Sequence, residues 1–255
     1  FWEEPCISGQ TGAGTVFFSG CTLGCVFCQN RPISREHFGK ALTPDELYAV
    51  FGRLADQGAA CIELVTPTHF THVLAKVLER PVPGGLPVVW NSGGYERRPA
   101  LRTLEGRIDV YLPDLKYLTP ALAKKYSGAA DYPEAAQAAI LEMYRQRGPA
   151  RIEGGLLKSG VLIRHLILPG HVGEAKRVMD WVAEAFPPGA VLFSLMAQYT
   201  PVGPPDGFPE LGRPLRPSEL RAARAYMEGL GLAGYVQELG SSGEGFIPAF
   251  DLTGL

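Results

Sequence analysis

The chain has 255 residues, 46% of them hydrophobic and 20% charged, with a formal net charge of −2. This is the composition of a folded chain with enough length to bury a large core, not of a disordered one. The near-neutral balance argues against a protein that coats nucleic acid or an anionic membrane, and no apolar run approaches the ~18 residues that span a bilayer.

Short apolar runs alternate with segments of helical period. A first strand is expected over 14–18 (GTVFF). A helix over 43–57 carries a strong start signal: Thr43 as N-cap, Pro44 at the first helical position and Glu46 completing a capping box, with Gly58 to end it. A second strand over 60–65 (ACIELV) precedes a helix near 70–79. A third strand over 87–90 is followed by a short helix near 99–104, and a fourth over 108–112 by helical segments reaching about 146. A fifth strand over 161–168 (VLIRHLIL), a helix over 173–185 and a sixth strand over 191–196 follow. A Pro-rich loop over 201–217 leads to a last helix over 218–229, with Ser218 as its expected cap. Strand–helix repetition needs crossover connections and so implies a parallel sheet. The strands are apolar almost throughout, as strands covered on both faces are. Six convincing units rather than eight predict a partial TIM-like (β/α)6 barrel over about 14–200, with a C-terminal extension over about 201–255 in one α/β domain. In such folds chemistry gathers at the carboxyl ends of the strands.

Five cysteines, Cys6, Cys21, Cys25, Cys28 and Cys61, do not read as a disulfide framework in a chain of this length. The start, Phe1-Trp2-Glu3, shows no signal peptide, which makes cytoplasmic residence the expectation; it also opens without Met, as though residues before Phe1 had been removed. Cys21, Cys25 and Cys28 form a C-x3-C-x2-C run directly after the first strand. Three thiolates on a short Gly-containing loop suit an iron–sulfur cluster or zinc. A closed zinc site needs a fourth ligand, for which His37 is nearest, and defines the non-catalytic alternative: a zinc-binding α/β protein.

The run Cys21 to Cys28, with the aromatic Phe27 before the last cysteine, resembles the cluster motif of radical SAM enzymes. The wider segments Glu4-Pro5-Cys6-Ile7-Ser8-Gly9, Phe17-Phe18-Ser19-Gly20, Asp114-Leu115-Lys116, Pro169-Gly170 and Ser194-Leu195-Met196-Ala197-Gln198-Tyr199 are similar to proteins of the pyruvate formate-lyase activating enzyme type. The resemblance implies a [4Fe–4S] cluster on Cys21, Cys25 and Cys28, with the open iron chelated by the amino and carboxylate groups of S-adenosylmethionine (SAM). It further implies reductive cleavage to a 5′-deoxyadenosyl radical and hydrogen-atom abstraction. The target would be a glycyl residue of a partner glycyl radical enzyme, with a small molecule or peptide as the alternative. A reductant protein such as flavodoxin or ferredoxin would supply the electron.

Polar groups stand at the strand ends where the barrel mouth is expected. The second strand runs into Thr66-Pro67-Thr68, in place of the Gly-Gly-Glu segment usual in the resembled family, so Thr66 and Thr68 are candidates for the SAM amino group. Asn91 and Ser92 end the third strand. Asp114 and Lys116 share one face of the fourth, an acid beside a base. Arg164 and His165 point opposite ways. By resemblance Arg164 faces inward toward the SAM carboxylate or ribose, Leu166 packs on the adenine beside Phe27, and His165 faces the outer helices. Gln198 occupies roughly the position where relatives place a histidine near the ribose. Target choice is expected in mouth loops over 131–153 and 201–217.

Overall fold

The computed structural model describes residues 4–201, 207–237, 239–241 and 250–254. A short helix α1 (Pro5–Ser8) precedes strand β1 (Gly14–Phe17). Then come α2 (Arg31–Ser34), α3 (Pro44–Asp56), β2 (Ile62–Val65), α4 (Thr71–Val77), β3 (Val88–Ser92), α5 (Arg98–Arg102) and β4 (Val110–Pro113). Helices α6 (Pro120–Ser127) and α7 (Tyr132–Arg147) lead to β5 (Arg151–Glu153) and β6 (Leu156–Leu166). The chain continues through α8 (Val172–Ala185), β7 (Leu192–Met196), α9 (Pro217–Gly229) and β8 (Gly234–Val236).

The sheet order is β1-β2-β3-β4-β6-β7-β8, every neighbour on this path parallel, with β5 paired antiparallel to β6. All six expected strands lie in their expected order, and the result is an α/β partial barrel. The added strand β8 falls within the C-terminal extension. Local sequence explains the helices. Thr43 accepts from Glu46 N–H while the Glu46 carboxylate accepts from Thr43 N–H, so the capping box starts α3 as expected. Its buried Leu47, Val50 and Phe51 recur at helical spacing, as do Ala175, Val178, Met179 and Val182 on α8. These stripes pack on the outer face of the sheet, where Ile62, Leu64, Trp90, Tyr111, Ile163 and Phe193 form the main core. The inner face carries the alternate residues. Cys61, Val89, Val110, Leu112, Leu162 and Leu192 fill the barrel floor, which α1 closes with Cys6 and Ile7.

Three expectations are corrected. Residues 131–153 are not a mouth loop: 132–147 form α7 on the outer face, where Ala136, Ala139, Ile140 and Met143 are buried, and 151–153 pair with β6. Gly154 and Gly155, both at positive φ, make the turn of that hairpin, so the fifth strand begins at Leu156 rather than 161 and ends at Leu166. Helix α9 starts at Pro217, with Arg216 as N-cap and Ser218 inside the first turn. Of the expected 201–217 loop, 207–217 is described and contains one 3₁₀ turn at Pro209–Leu211, while 202–206 lie outside the described residues. A cavity of about 680 Å³ lies between β1, α3, α4 and residues 250–254, lined mainly by apolar groups such as Val16, Leu47 and Val50.

Candidate functional site at the carboxyl ends of the strands

The cysteine loop leaves β1 and is tied down by backbone bonds. Gly20 N–H donates to Ile33 C=O, Gly24 N–H to Ser127 C=O and Val26 N–H to Tyr126 C=O. Arg35 donates to Gly24 C=O, and Gln29 Nε2 to Gln198 C=O at 3.3 Å. The loop is thus clasped by the last turn of α6 and by the end of β7. Helix α6 is positioned in turn by the buried Glu174 of α8, which accepts from Leu118 N–H (2.6 Å), Thr119 N–H (2.7 Å) and the Thr119 hydroxyl (2.6 Å). That carboxylate accepts from the N-cap N–H, as the third residue of a capping box would, while the N-cap Thr119 side chain makes no capping bond of its own.

Cys21, Cys25 and Cys28 are free, half-buried thiols. Each sulfur has its own hydrogen-bond partner: Leu23 N–H at 3.4 Å for Cys21, the Ser127 hydroxyl at 3.0 Å for Cys25 and the Ser34 hydroxyl at 3.3 Å for Cys28. Burial pushes the Cys21 and Cys25 thiols up, opposed by the Lys116 ammonium; Cys28 adds to the rise in both, and Cys21 to that in Cys25. Among the described residues no three Cys, His, Asp or Glu side chains already stand as a metal-ligand set. The donor chemistry nevertheless fits a three-thiolate iron–sulfur cluster. The three sulfurs lie on one eight-residue loop, within electrostatic reach of one another. A thiolate bound to iron keeps lone pairs with which to accept the hydrogen bonds already in place.

A chain of charged and polar side chains crosses the strand ends beside this loop. Lys116 Nζ donates to Asp114 at 2.6 Å, Arg164 Nε donates to the other Asp114 oxygen at 3.1 Å, and Arg164 Nη2 donates to Asn91 Oδ1 at 2.6 Å. Asn91 Nδ2 donates to Glu63 at 2.7 Å, and the second Glu63 oxygen accepts from Thr15. Burial opposes ionisation of Asp114, but Lys116 and Arg164 outweigh it and hold the carboxyl below its usual range. Burial likewise works against the Lys116 charge and is overcome by Asp114, so the ammonium binds its proton more tightly than a free lysine. For Glu63 burial wins over Asn91 and Arg164, and its pKa is raised. Phe27, Asp114, Lys116, Tyr117, Leu166 and Leu168 line one small cavity between this network and the cysteine loop. Phe27 meets the Tyr199 ring edge-on at 6.4 Å.

The remaining expected residues divide. Thr66 ends β2 at φ 58°, a conformation costly for a β-branched residue, with its N–H bonded to Asn91 C=O. Thr68 and Ser92 turn toward other partners. The Thr68 hydroxyl donates to the buried Glu96 at 2.7 Å, which Trp90 Nε1 also approaches at 3.4 Å, and the Ser92 hydroxyl accepts from Gly94 N–H. Gln198 folds its amide toward Met196 sulfur at 4.0 Å. Arg164 and His165 face opposite ways as expected: His165 is buried on the outer side, bonded to Leu115 C=O, and burial lowers its pKa. Sequence reasoning missed Glu63, Tyr132 and Ser127. The buried Tyr132 hydroxyl accepts from Lys116 N–H (2.9 Å) and lies 2.7 Å from Asp114 C=O and 2.9 Å from Gly93 C=O, pinning the loop after β4 to the loop after β3. That junction is tight: a Cβ at Gly94 (φ 75°) would stand 2.2 Å from Asp114 C=O. For Glu63 the available signal was a carboxylate inside an otherwise apolar strand.

Comparison with known proteins places this arrangement. Among solved structures, the chain is similar to Streptococcus suis SuiB bound to its precursor peptide SuiA (TM-score 0.58, 12% identity, covering 88% of this chain and 48% of that one). It also resembles methylornithine synthase (0.56, 14%, 94% and 76%) and a domain of pyruvate-formate lyase-activating enzyme from Bacteroides vulgatus (0.51, 12%, 68% and 94%). At these identities the likeness concerns the fold. An uncharacterized protein of Methanocaldococcus jannaschii is 27% identical over 219 residues, 82% of this chain. The chain spans only 60% of that relative's length. The family model of the Radical SAM superfamily matches residues 15–182, from the first strand through the cysteine loop and the charged strand ends into α8. With three thiols on the loop after β1 of a partial parallel barrel, and that match over most of its length, the chain belongs to the Radical SAM superfamily, whose cofactors are a [4Fe–4S] cluster and SAM.

Proposed function

We propose that this radical SAM enzyme holds its cluster on Cys21, Cys25 and Cys28, cleaves SAM reductively and directs the resulting radical at a glycyl hydrogen of a partner enzyme. The observation that carries the SAM assignment is the juxtaposition of the thiol loop, through Phe27, with Asp114 and Lys116 on one cavity, with Arg164 bonded to Asp114. When bound, the cluster supplies one electron to the sulfonium of SAM, releasing methionine and a 5′-deoxyadenosyl radical.

The chain's own residues do the rest. Lys116 sets a fixed positive charge beside the loop and offsets the negative charge of three thiolates. Arg164, its fork aligned by Asp114 and Asn91, is presented to a carboxylate or ribose at the strand ends. Phe27 and Leu166 give the same small cavity apolar walls, against which a nucleobase would pack once the cysteine loop moves outward. Thr66 brings a strained backbone to the end of β2, where carbonyls and hydroxyls are available to an ammonium group. Thr68, Ser92 and Gln198 are assigned to the same rim, reaching it through local rearrangement. The glycyl target is supported by the sequence likeness of the Asp114-Leu115-Lys116 segment and the residues around Cys21 to activating enzymes.

Anaerobic reconstitution with iron and sulfide, followed by SAM and dithionite, tests the first part: a brown protein that releases 5′-deoxyadenosine is expected, and failure to bind iron or to release the nucleoside overturns it. Partner enzymes carrying α-deuterated glycine test the second. Deuterium in the 5′-deoxyadenosine and a glycyl radical signal are expected, and deuterium-free product with every glycyl partner tried overturns the target.

A further inference from the structure

The three cysteine sulfurs are not held alike. Cys25 is anchored from both sides, because the residues flanking it, Gly24 and Val26, donate their N–H groups to the carbonyls of Ser127 and Tyr126 at the end of α6 (3.1 and 2.8 Å). Those backbone bonds hold the Cys25 main chain beside Ser127, whose hydroxyl lies 3.0 Å from the sulfur. Ser127 is itself backed by a second hydroxyl, that of Tyr117, at 3.1 Å. Both residues are buried, at 2% and 1% exposure, so no bulk water competes for either hydroxyl.

Each hydroxyl carries one proton, and this fixes the direction of the chain. A sulfur bound to iron is a thiolate and only accepts. Ser127 must then donate to sulfur and has nothing left to give Tyr117. The remaining Tyr117–Ser127 bond is made only if Tyr117 donates. Ligation of Cys25 therefore lines up two O–H dipoles, phenol to serine to sulfur, all pointing at the cluster. The other two sulfurs have single donors without such backing, Leu23 N–H and the Ser34 hydroxyl. Hydrogen bonds to cluster sulfurs draw charge from the metal centre and favour its reduced form, and a backed donor is stronger than an isolated one.

We propose that Tyr117 and Ser127 form a hydroxyl relay onto the Cys25 sulfur that raises the reduction potential of the cluster. They are positioning residues: neither touches the iron, and both act through Cys25. The proposal rests on the assignment of the cluster to Cys21, Cys25 and Cys28.

The test is the midpoint potential of the reconstituted full chain, followed by electron paramagnetic resonance of the reduced cluster during redox titration. Ser127→Ala is expected to make the reduced cluster about tenfold harder to populate, a fall of about 59 mV for a one-electron couple. Tyr117→Phe should move the potential the same way by a smaller amount, and Ser127→Thr, which keeps the hydroxyl, should restore it. Should Ser127→Ala fail to take up iron, Tyr117→Phe carries the test, since it leaves the loop and α6 backbone untouched. Wild-type potentials in Ser127→Ala and Tyr117→Phe at wild-type iron content, or a Ser127→Thr shift as large as that of alanine, overturn the relay. These shifts in the variants, together with a wild-type protein that releases no 5′-deoxyadenosine, would keep the relay and overturn the SAM-cleaving function instead.

Discussion

Two networks of shielded charge, one on the outer face and one at the strand ends, are built differently. On the outer face, Glu142 of α7 is gripped by Arg145 at 2.8 Å and approached by Arg102 of α5 at 3.7 Å, while Arg145 also reaches Glu105 at 3.0 Å. The two arginines there are about half exposed, at 49% and 55%, so their heads stay in water while one carboxylate is covered. At the strand ends, Lys116, Asp114 and Arg164 are all shielded, at 13–18% exposure, and the chain continues inward to Asn91 and the wholly buried Glu63. Shielding both partners carries a desolvation cost that offsets much of what the pairs return in stability, and apolar residues of similar volume can hold a barrel together as well. The outer network ties α7 to α5. The inner one borders the cavity beside the thiols, where a dry arrangement of fixed charge is useful to chemistry.

Substitutions that separate these roles sharpen the contrast. The largest effect is expected for Cys25→Ala: 5′-deoxyadenosine release at background, with at most about 1 kcal/mol of stability lost in urea unfolding, because the cysteine lies on a loop beside the core. A collapse of the fold instead would make the loop structural. Next is Arg164→Met. Removing the guanidinium leaves Asp114 with Lys116 alone and takes a nearby positive charge from Glu63, so a loss of about 3 kcal/mol is expected together with weaker SAM binding by calorimetry. Unchanged stability would mean the inner network is no more costly to break than the outer one.

Glu142→Gln should be milder, about 1–3 kcal/mol at neutral pH, with SAM cleavage intact. Its pH dependence has a definite sign. Hydrogen bonds from Arg145 hold the Glu142 pKa at about 2 against an ordinary 4.5, so its stabilisation is complete above 4.5 and fades as pH falls toward 2. Denaturant midpoints should therefore drop more steeply across that window in the wild type than in Glu142→Gln, and parallel curves would refute the assignment. The smallest expected effect is for Thr66→Gly. Relief of the positive φ should add about 1 kcal/mol of stability while weakening SAM binding, whereas a destabilised variant would show that the hydroxyl, not the backbone, matters there.

How much of this was legible in the sequence depends on distance along the chain. The strand order followed from alternating apolar runs, and α3 from Thr43, Pro44 and Glu46, all local signals. The β5–β6 hairpin was not seen, because two of its strand residues are charged and exposed, and its turn glycines read equally well as loop. At the site, the cysteine spacing and the alternation that put Asp114, Lys116 and Arg164 on the inner face were readable. Their partners were not. Asn91 meets Glu63 across 28 residues, Lys116 meets Tyr132 across 16, and Cys25 meets Ser127 across 102, and no periodicity encodes such pairs. Thr68 and Ser92 carried the right chemistry on the right loops, yet Glu96 and Gly94 hold their hydroxyls elsewhere.

The contact between Gly94 and the Asp114 carbonyl sets a practical filter for related chains. The space left at that point is less than one methyl group, so any homologue with a side chain there must have displaced the backbone that delivers its acid and base to the mouth. In a saturation library, this position should stand out as a blank column inside an otherwise permissive loop. Among genome-derived sequences, its occupancy would sort those sharing this mouth from those that have only the cysteine spacing in common.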